Sequence, residues 1–459
     1  MEAAAEYERK LNAPEGFELP DLGGEPLEPR VFTSIYYDTA DRSLARAGIT
    51  LRRRTERGRS VWQLKLPADD ARLEIEEPGG PAAPPDTMAR LLTAHLRNGA
   101  VAPVAELRTR RHGALVARDG TKAEVTIDDV SVMDARRVVE EFVEVEVELK
   151  EGAPRGLDLI AGELADAGAH PSDGTPKVFR VLRLVPDAPA GDTPLDALRA
   201  RLREQLRAIL ANDPGTRLGR DPESLHDMRV AVRRTRALLR AGKPLYTNDV
   251  STFAEELRWL GEKLGAVRDL DVMIDRLRAE AASLDASDDT EARALLRTLD
   301  RRRSRARTSL LKALNSARYF DLLDRFPLEI GTLGPSGDEA TLVDIARGEL
   351  RKLRKRVRKT ASDASNTELH ALRKRGKRVR YAYELAGDES VVKRAKKFQD
   401  ILGEHQDSVV AEATLRELAA ASPEQAIVAG RLIEREHGVR ADARKSWRKT
   451  WKRLVRAAG

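Results

Sequence analysis

The sequence contains no cysteine, and aromatic residues make up only 4% of its 459 residues. The lack of cysteine excludes disulfide bridges, thiolate metal sites and cysteine nucleophiles, and it fits a cytoplasmic protein. No apolar run approaches the length that spans a bilayer, and residues 1–5 lack the basic and apolar regions of a secretory signal. We therefore expect a cytoplasmic protein with no membrane partner.

Two common catalytic motifs are also absent. The sequence has no Gly-x-Ser-x-Gly and no Gly-x-x-x-x-Gly-Lys-[Ser/Thr], so neither a nucleophile elbow nor a P-loop is supported. Charged residues are abundant instead, at 34% of the chain, and they are unevenly divided. Up to Pro194 there are 26 Lys and Arg against 35 Asp and Glu, a balance of −9, whereas the remainder has 56 against 40, a balance of +16.

This division coincides with a change of pattern along the chain. Residues 187–194 are rich in Pro, Ala, Gly and Asp, as in a linker, and strand-like alternation before them gives way to Ala-, Leu-, Arg- and Glu-rich helical periodicity after them. The sequence therefore predicts an α+β protein of two domains, residues 1–186 and 195–459, joined by the linker 187–194.

Charged residues alternate along the strands of the first domain. Glu6, Glu8 and Lys10 share one face of a strand, and so do the three glutamates within residues 144–148. Basic residues with the same period lie between them: Arg52, Arg54, Lys65, Arg108 and Arg110. A solvated face is the simpler interpretation of any one strand. The agreement of five strands favours a closed or nearly closed antiparallel sheet around a charged tunnel, which suits a metal-bound phosphate chain.

These segments resemble the CYTH family, the triphosphate tunnel metalloenzymes, over residues 4–185. The N-terminal Glu-x-Glu-x-Lys signature is intact, and residues 36–54 are similar to the family's strand, turn and paired-arginine strand. Asp128 and Lys177 stand where the family's later acidic and basic tunnel residues are expected. The Pro-, Gly- and Glu-rich stretch 12–30 departs from the pattern, and we expect it to form a loop.

The resemblance implies a tunnel barrel that hydrolyses inorganic triphosphate or a related triphosphorylated compound with Mg²⁺ or Mn²⁺. It implies metal ligands at Glu6, Glu8, Glu146 and Glu148; phosphate contacts at Arg52, Arg54, Lys65, Arg108, Arg110 and Lys177; and catalytic roles for Lys10 and Asp128. Metal and guanidinium groups would neutralise the phosphate oxygens during in-line attack by water. Two alternatives stay open: adenylyl cyclase activity, which is known among CYTH relatives, and a non-catalytic polyphosphate-binding protein.

The second domain contains an internal repeat. Residues 225–236 recur as residues 369–380, and residues 264–269 recur as residues 402–407. Two matched pairs at similar separations predict a duplicated helical bundle.

Each copy carries a basic stripe on one helix. Positions i, i+3, i+7 and i+10 lie within about 80° of arc, and they are occupied by His226, Arg229, Arg233 and Arg236 in the first copy and by His370, Arg373, Lys377 and Arg380 in the second. An apolar row runs beside each stripe. Solvation would explain any single cation, and packing or capping would explain a lone histidine. Because the stripes are of one sign and repeated, they favour an anionic ligand.

This pattern resembles the CHAD family, the conserved histidine α-helical domains, over residues 195–459. CHAD domains are helical and associated with inorganic polyphosphate, so the resemblance implies an all-α bundle whose two stripes bind polyphosphate. Nucleic acid is the less favoured partner, because the stripes carry almost no aromatic residues for base stacking. We also expect the protein to associate with polyphosphate granules.

Overall fold

A computed structural model of the chain describes residues 2–67, 72–97, 99–172, 176–184, 191–337, 340–361 and 363–459. The chain divides into two compact units: Met1–Ala188 with Asp213–Leu218, and Pro189–Asn212 with Gly219–Gly459. Positions 187–190 of the predicted linker lie outside the described residues. The predicted α+β class is confirmed, because an antiparallel sheet dominates the first unit and helices dominate the second.

The described strands of the first unit form one antiparallel sheet. They are β1 (Glu2–Glu6), β2 (Glu8–Ala13), β3 (Glu25–Asp38), β4 (Thr50–Glu56), β5 (Arg59–Pro67), β6 (Arg72–Pro78), β7 (Ala102–Arg118), β8 (Thr121–Asp134), β9 (Arg137–Glu151) and β10 (His170–Pro171). Their order across the sheet is β1-β6-β5-β4-β3-β7-β8-β9-β2-β10. The predicted loop 12–30 is shorter than expected, because β2 continues to Ala13 and β3 begins at Glu25.

The sheet is open, so the closed form of the predicted closed or nearly closed sheet is wrong. Its two ends are linked by one chain segment, because β1 pairs with β6 while β2 pairs with β9. Tyr7 separates β1 from β2, and its carbonyl oxygen accepts a hydrogen bond from the backbone N–H of Leu149 at 2.9 Å. The break at Tyr7 interrupts the ladder, but the charged side chains of both strands still face one cavity.

The alternation along β9 separates a core face from a charged face. Val145 and Val147 are fully buried, and they pack in a cluster that includes Leu157 and Ile160 of helix α4 (Arg155–Asp166). Glu146 and Glu148, which alternate with these valines, point the other way, toward the cavity. This arrangement follows from the period of two in a strand, which assigns alternate residues to opposite faces.

The remaining helices before residue 184 are short, and those from residue 194 onward are long. The short ones are α1 (Ser43–Arg46), α2 (Asp86–Leu91), α3 (Thr93–Leu96) and α5 (Lys177–Leu182). The long ones are α6 (Pro194–Leu218), α7 (Pro222–Ala241), α8 (Ser251–Ala281), α9 (Asp289–Leu314), α10 (Ala317–Gly331), α11 (Leu342–Arg358), α12 (Asn366–Leu385), α13 (Glu389–Ala421) and α14 (Ala426–Ala457). None of the helices in the described ranges is long and apolar enough to cross a membrane.

The repeated segments occupy matching helices, α7 with α8 and α12 with α13. Helix α7 begins after Asp221, whose carboxylate accepts a hydrogen bond from the N–H of Glu223 at 3.0 Å, and α12 begins with a capping box between Ser365 and Glu368. The predicted apolar rows are buried: Leu225, Met228, Val232 and Leu239 on α7, and Leu369, Leu372, Val379 and Tyr383 on α12. Because α7 packs against α12, the two basic stripes meet.

Candidate functional site

A cavity of about 350 Å³ lies on the charged face of the sheet, and we call it the strand cavity. It is lined by Glu6, Glu8, Lys10, Arg30, Tyr36, Thr50, Arg52, Arg54, Gln63, Lys65, Arg72, Glu74, Glu76, Arg111, Glu124, Glu146, Glu148, Lys150, Pro176 and Lys177. Of these described residues nine are basic and seven are acidic, so the cavity favours an anion while offering carboxylates to a cation.

The strand cavity brings together nine of the twelve residues predicted for the first domain. These are Glu6, Glu8, Lys10, Arg52, Arg54, Lys65, Glu146, Glu148 and Lys177. The other three, Asp128, Arg108 and Arg110, do not line it.

Arg108 and Arg110 are exposed on β7, outside the cavity. Their neighbours Leu107 and Thr109 are buried, and Arg111, which follows in the same phase, lines the cavity. The inward-facing residues of β7 are therefore one position away from the predicted ones. In a strand, a shift of one residue exchanges the two faces, so the predicted inward side chains point outward. Sequence reasoning missed Arg111, although the phase of Leu107 and Thr109 was a usable signal.

Asp128 lies behind the cavity wall, with its side chain 1% exposed. It accepts hydrogen bonds from Nε and Nη2 of Arg111, both at 2.6 Å, and from Nζ of Lys177 at 2.6 Å. Burial opposes its charge, but Lys177 and Arg111 outweigh that effect and hold the pKa of Asp128 below its usual range. Asp128 thus orients two cations that face the cavity.

The end of the cavity next to Asp128 is balanced in charge. Lys10 Nζ lies 2.9 Å from Glu146 and 3.4 Å from Glu144. Lys177 Nζ lies 2.8 Å and 3.1 Å from the same two carboxylates. Burial opposes the charge of Glu146, yet Lys10, Lys177 and Arg111 hold its pKa well below the usual range. Burial dominates at Glu144 and raises its pKa despite Lys177.

The opposite side of the cavity carries cations with little compensation. Arg52 donates to Gln63 Oε1 at 2.7 Å and to the Tyr36 hydroxyl at 3.1 Å, both uncharged groups. Arg72 donates to the carbonyl oxygen of Gly48, and its buried Nε has no acceptor. No carboxylate among the described residues forms an ion pair with either arginine. Burial lowers the pKa of Arg72, as expected for a cation that lacks close counter-charge. At Arg52 burial acts in the same direction, but Tyr36, Glu74 and Glu146 outweigh it and raise the pKa of that guanidinium.

Arg54, beside Arg52 on the same strand, has only a distant carboxylate at 3.6 Å, that of Glu56. Burial and the charge of Arg52 lower its pKa. Among the described residues, Arg52 and Arg72 therefore face the cavity without an ion-pair partner, and Arg54 faces it with one at 3.6 Å. Arg72 was not among the predicted phosphate contacts, although its alternation with Glu74 and Glu76 in the sequence was a signal for it.

The carboxylates that could hold a cation lie beside these arginines. Glu8 and Glu148 are direct cross-strand partners of β2 and β9, and two like charges in this position repel unless a cation lies between or beside them. The Nζ atom of Lys65 lies 2.5 Å from a carboxylate oxygen of Glu6, and that of Lys150 lies 2.5 Å from one of Glu148. Their oxygens are the donors that Mg²⁺ and Mn²⁺ prefer. With these lysines in place, no three acidic or histidine side chains of the described residues converge on one metal position.

A second basic site lies between α7 and α12. We call it the arginine cluster, and it consists of Arg229, Arg233, Arg373, Lys377 and Arg380. The guanidinium groups of Arg373, Arg233, Arg229 and Arg380 are the charges that act most strongly on Lys377. The two predicted stripes thus contribute to one site, although they lie far apart in the sequence.

Only two carboxylates among the described residues pair with the arginine cluster. Asp269 lies 2.8 Å from Arg229, and Glu384 lies 3.2 Å from Arg380. Arg233 donates to the uncharged hydroxyl of Tyr381 at 3.0 Å.

Lys377 has no carboxylate within ion-pair distance in the described part of the chain. Burial and the surrounding guanidinium groups lower the pKa of Lys377 to about 7. The cluster therefore carries excess positive charge that a polyanion would neutralise.

The repeated glycines explain how the arginines fit against the neighbouring helices. A Cβ atom at Gly403 of α13 would lie 3.4 Å from the guanidinium of Arg373, and one at Gly265 of α8 would lie 3.7 Å from that of Arg229. A longer side chain at either position would occupy the space of the arginine. The Leu-Gly pair in both copies of the repeat is therefore explained by close packing of a guanidinium group on a helix.

The remaining predicted polyphosphate residues flank the cluster. Burial and Arg268 lower the pKa of His226, and burial and Lys374 lower that of His370, so neither imidazole readily takes a proton. Arg236 lies farther along α7, where burial and the charges of Arg240 and Arg258 lower its pKa.

Comparison with known proteins identifies two domain families in the chain. The CYTH domain family matches residues 4–167, and the CHAD domain family matches residues 200–416. Two Mycobacterium tuberculosis proteins, uncharacterized protein Rv2226 of strain H37Rv and uncharacterized protein MT2285 of strain CDC 1551, are each 34% identical over 463 residues, covering 91% of this chain and 89% of theirs. The chain belongs to the CYTH–CHAD family. Both predicted resemblances are confirmed, in the predicted order.

Solved structures resemble one or the other part of this CYTH–CHAD protein. PptA from Streptomyces chartreusis has a TM-score of 0.48 and 25% identity, covering 58% of this chain and 100% of its own. The CHAD domain from the plant Ricinus communis has a TM-score of 0.49 and 26% identity, with coverages of 59% and 95%. HpAC1 from Hippeastrum, described as having a dominant triphosphatase activity, has a TM-score of 0.27 and 18% identity, with coverages of 40% and 98%.

Proposed function

We propose that the CYTH unit hydrolyses inorganic triphosphate, or a related triphosphorylated compound, with Mg²⁺ or Mn²⁺. The observation that carries this proposal is the strand cavity, in which Arg52 and Arg72 have no carboxylate partners while Glu8 and Glu148 face each other nearby. A phosphate chain would supply negative charge to the two arginines, and a divalent cation would take the carboxylate oxygens that lysines now contact.

The arginines act on the phosphate chain by binding and orienting it. The N–H groups of Arg52, Arg54 and Arg72 donate to phosphate oxygens and offset the charge that develops there during transfer. Lys65 now pairs with Glu6. It can donate to phosphate oxygens as well when Glu6 binds the divalent cation instead. Asp128 is a positioning residue in this proposal, because it contacts Arg111 and Lys177 from behind the wall.

The carboxylates of Glu6, Glu8 and Glu148 would hold the cation, and Glu146 would complete the set. When bound, the cation neutralises phosphate charge and lowers the pKa of a coordinated water. The three cations around Glu146 keep this residue ionised, so it retains an acceptor for a ligand or for a proton of a nearby water.

We further propose that the CHAD unit binds inorganic polyphosphate at the arginine cluster. Arg233, Arg373 and Lys377 lack carboxylate partners among the described residues, and a thin flexible chain with closely spaced charge fits between two helices better than a wide duplex does. Binding of this kind would bring a cytoplasmic protein to polyphosphate granules. Co-sedimentation with granules tests that consequence.

The CYTH proposal is tested by phosphate release from inorganic triphosphate and from ATP, with Mg²⁺, with Mn²⁺ and with EDTA. We expect release only with a divalent cation. Glu8→Gln should lower turnover about a hundredfold or more, because an amide keeps the shape but loses the charge that holds the cation. The matched control is Glu28→Gln, on an exposed position of β3.

The products distinguish the alternatives. Pyrophosphate and a cyclic nucleotide from ATP would identify a cyclase. Tight triphosphate binding without any turnover would identify a non-catalytic binding protein. Near-normal turnover in Glu8→Gln with intact circular dichroism would contradict the metal assignment.

The CHAD proposal is tested by polyphosphate affinity at several salt concentrations. Replacing Arg229, Arg233, Lys377 and Arg380 together by Ala should remove most of the affinity and flatten its dependence on log salt, because fewer counter-ions are released. The control replaces Lys445, Lys449, Lys452 and Arg453, exposed on α14, by Ala. Equal losses in the two variants would indicate a non-specific basic surface.

A further inference from the structure

Lys377 is half-buried on the face of α12 that also carries Arg373 and Arg380. Helix α7 packs on α12 and brings Arg229 and Arg233 to this face, where Arg233 contacts the Tyr381 hydroxyl at 3.0 Å. A lysine next to other cations is the arrangement that makes an amine nucleophilic at neutral pH. We propose that Lys377 is an acylation site for acyl phosphates, with the arginines of the cluster binding the phosphate of the reagent. This proposal rests in part on the proposed anion binding at the cluster.

Four guanidinium groups favour the neutral form of Lys377, and one nearby carboxylate opposes it. Helix α7 contributes Arg229 and Arg233, and α12 contributes Arg373 and Arg380. Helix α8 contributes Asp269, which is already paired with Arg229. Helix α13 contributes Gly403 at the point of contact with Arg373, and a glycine adds no charge. Helix α11 also packs on α12, but its Glu349 pairs with Lys352 and lies 3.8 Å from Arg375.

The consequence is a large fraction of free amine at neutral pH. The pKa of Lys377 is lowered to about 7, mainly by burial and then by Arg373 and Arg233. An ordinary lysine, with a pKa of about 10.4, is almost entirely protonated at pH 7.5. The free-amine fraction of Lys377 is then roughly a few hundred times larger, and part of this advantage is lost because a less basic amine is a weaker nucleophile.

An acyl phosphate carries the two groups that this site recognises. Its phosphate is an anion for Arg229, Arg233 and Arg373, and its carbonyl carbon is an electrophile for the amine. The lysine nitrogen forms a bond to the carbonyl carbon, the bond between that carbon and the phosphate oxygen breaks, and inorganic phosphate leaves. The nitrogen releases one proton, which the departing phosphate or water accepts, and no oxidant or reductant is involved.

The product is an amide without charge, so acylation converts a basic residue of the cluster into a neutral one. Two effects on polyphosphate binding follow. The acylated protein loses one cation that could meet a phosphate, and polyphosphate bound at the cluster should shield the amine from the reagent. Acylation and polyphosphate binding are therefore mutually exclusive at this position.

The test uses the full chain and acetyl phosphate as the probe. Acetyl occupancy at individual lysines is measured over time by mass spectrometry of peptides. We expect Lys377 to react at least about tenfold faster at pH 7.5 than Lys374, an exposed lysine one turn earlier on α12. The rate at Lys377 should level off above about pH 8, whereas the rate at Lys374 should keep rising about tenfold per pH unit.

Three comparisons give the test its controls. Lys377→Arg has a guanidinium in place of the amine, so acetylation at this position should disappear. Arg233→Ala should slow acetylation of Lys377 by raising its basicity and weakening phosphate capture. N-acetoxysuccinimide transfers the same acetyl group without a phosphate, and the preference for Lys377 over Lys374 should be smaller with this reagent.

Polyphosphate affinity is measured on the same samples. The acylation site at Lys377 and polyphosphate binding at the arginine cluster can therefore be contradicted separately. Acetylation of Lys377 no faster than Lys374, in protein that still binds polyphosphate, would overturn the acylation site alone. Fast acetylation that excess polyphosphate does not suppress would overturn polyphosphate binding at the cluster and leave the acylation site standing. An equal preference for Lys377 with both reagents would overturn the role of the arginines in capturing phosphate.

Discussion

At the scale of single residues, the face of the strand on which an arginine lies determines whether its side chain reaches the strand cavity. Arg72 and Arg111 line the strand cavity, whereas Arg108 and Arg110 face outward on β7. All four carry the same charge, so composition alone cannot separate them. The difference arises from the phase of each strand relative to its buried neighbours.

We expect Arg72→Ala to lower kcat/KM for triphosphate about thirtyfold, because in the proposed function the guanidinium contacts phosphate in both the bound and the transition state. Arg108→Ala should change it less than about twofold. Steady-state kinetics of the two variants at saturating Mn²⁺ make this comparison. A larger loss in Arg108→Ala than in Arg72→Ala would mean that β7 has the opposite phase in solution.

His405 is a second residue whose behaviour depends on its surroundings. It is fully buried on α13, and neither ring nitrogen has a hydrogen-bond partner among the described residues. Burial, with Arg444 and Arg440 nearby, lowers the pKa of His405 to about 4. The matching position of the first repeat is Val267, which is also buried. The histidine is therefore a polar residue in an apolar position.

This arrangement predicts loss of stability in acid. Because the folded pKa of His405 is below its unfolded value of about 6.5, the unfolded chain binds the extra proton, and stability falls as pH drops from about 6.5 toward 4. At pH 5 the loss is about 2 kcal/mol relative to pH 7.5. Urea unfolding at both pH values should show this difference in the wild type and not in His405→Val. An identical pH dependence in the two proteins would exclude His405 as its source.

At the scale of elements, buried ion pairs attach the short helix α5 to the sheet. Lys177, the first residue of α5, lies 2.6 Å from Asp128 of β8 and 2.8 Å from Glu146 of β9. All three side chains are largely buried, so water compensates poorly for the loss of one partner. Four of its six residues are apolar: Val178 is buried, and Phe179, Val181 and Leu182 pack against the same core cluster. Apolar packing and the buried ion pairs therefore attach the helix together.

Asp128→Ala should lower the free energy of unfolding of the CYTH unit by about 3 kcal/mol, because it leaves Lys177 and Arg111 with less buried counter-charge. Asp158→Ala is the control. Its carboxylate also pairs with an arginine, Arg9, but is 61% exposed, so we expect a change below about 0.5 kcal/mol. Denaturant titration of both variants checks the prediction, and equal effects would show that the buried network is not stabilising.

At the scale of the whole molecule, the two units carry opposite net charge and separate sites. The strand cavity offers carboxylates for a cation, whereas the arginine cluster has few counter-charges and offers none to a metal. This division suits two tasks with phosphate chains: one that needs a cation and one that needs only binding.

We therefore expect the two activities to be separable in the full chain. Glu8→Gln should abolish triphosphate turnover and leave polyphosphate affinity within about twofold. The combined Ala variant at Arg229, Arg233, Lys377 and Arg380 should do the reverse, because additivity holds for sites without shared partners. Phosphate release and polyphosphate binding, measured on each variant, test this. Loss of both activities in either variant would show that the sites are coupled.

The local periodicity of the sequence predicted most of the elements that carry the two sites. Alternation of two residues predicted the charged faces of β2 and β9, and the repeat predicted the helices that carry the basic stripes, because both patterns follow from backbone geometry. Local periodicity could not predict contacts between segments that are distant in the sequence. Only the packed fold decided that Arg111 rather than Arg110 faces the cavity and that the sheet stays open at Tyr7. The low pKa of Lys377 likewise arises where α7 meets α12, since burial and charge density depend on neighbours remote in sequence.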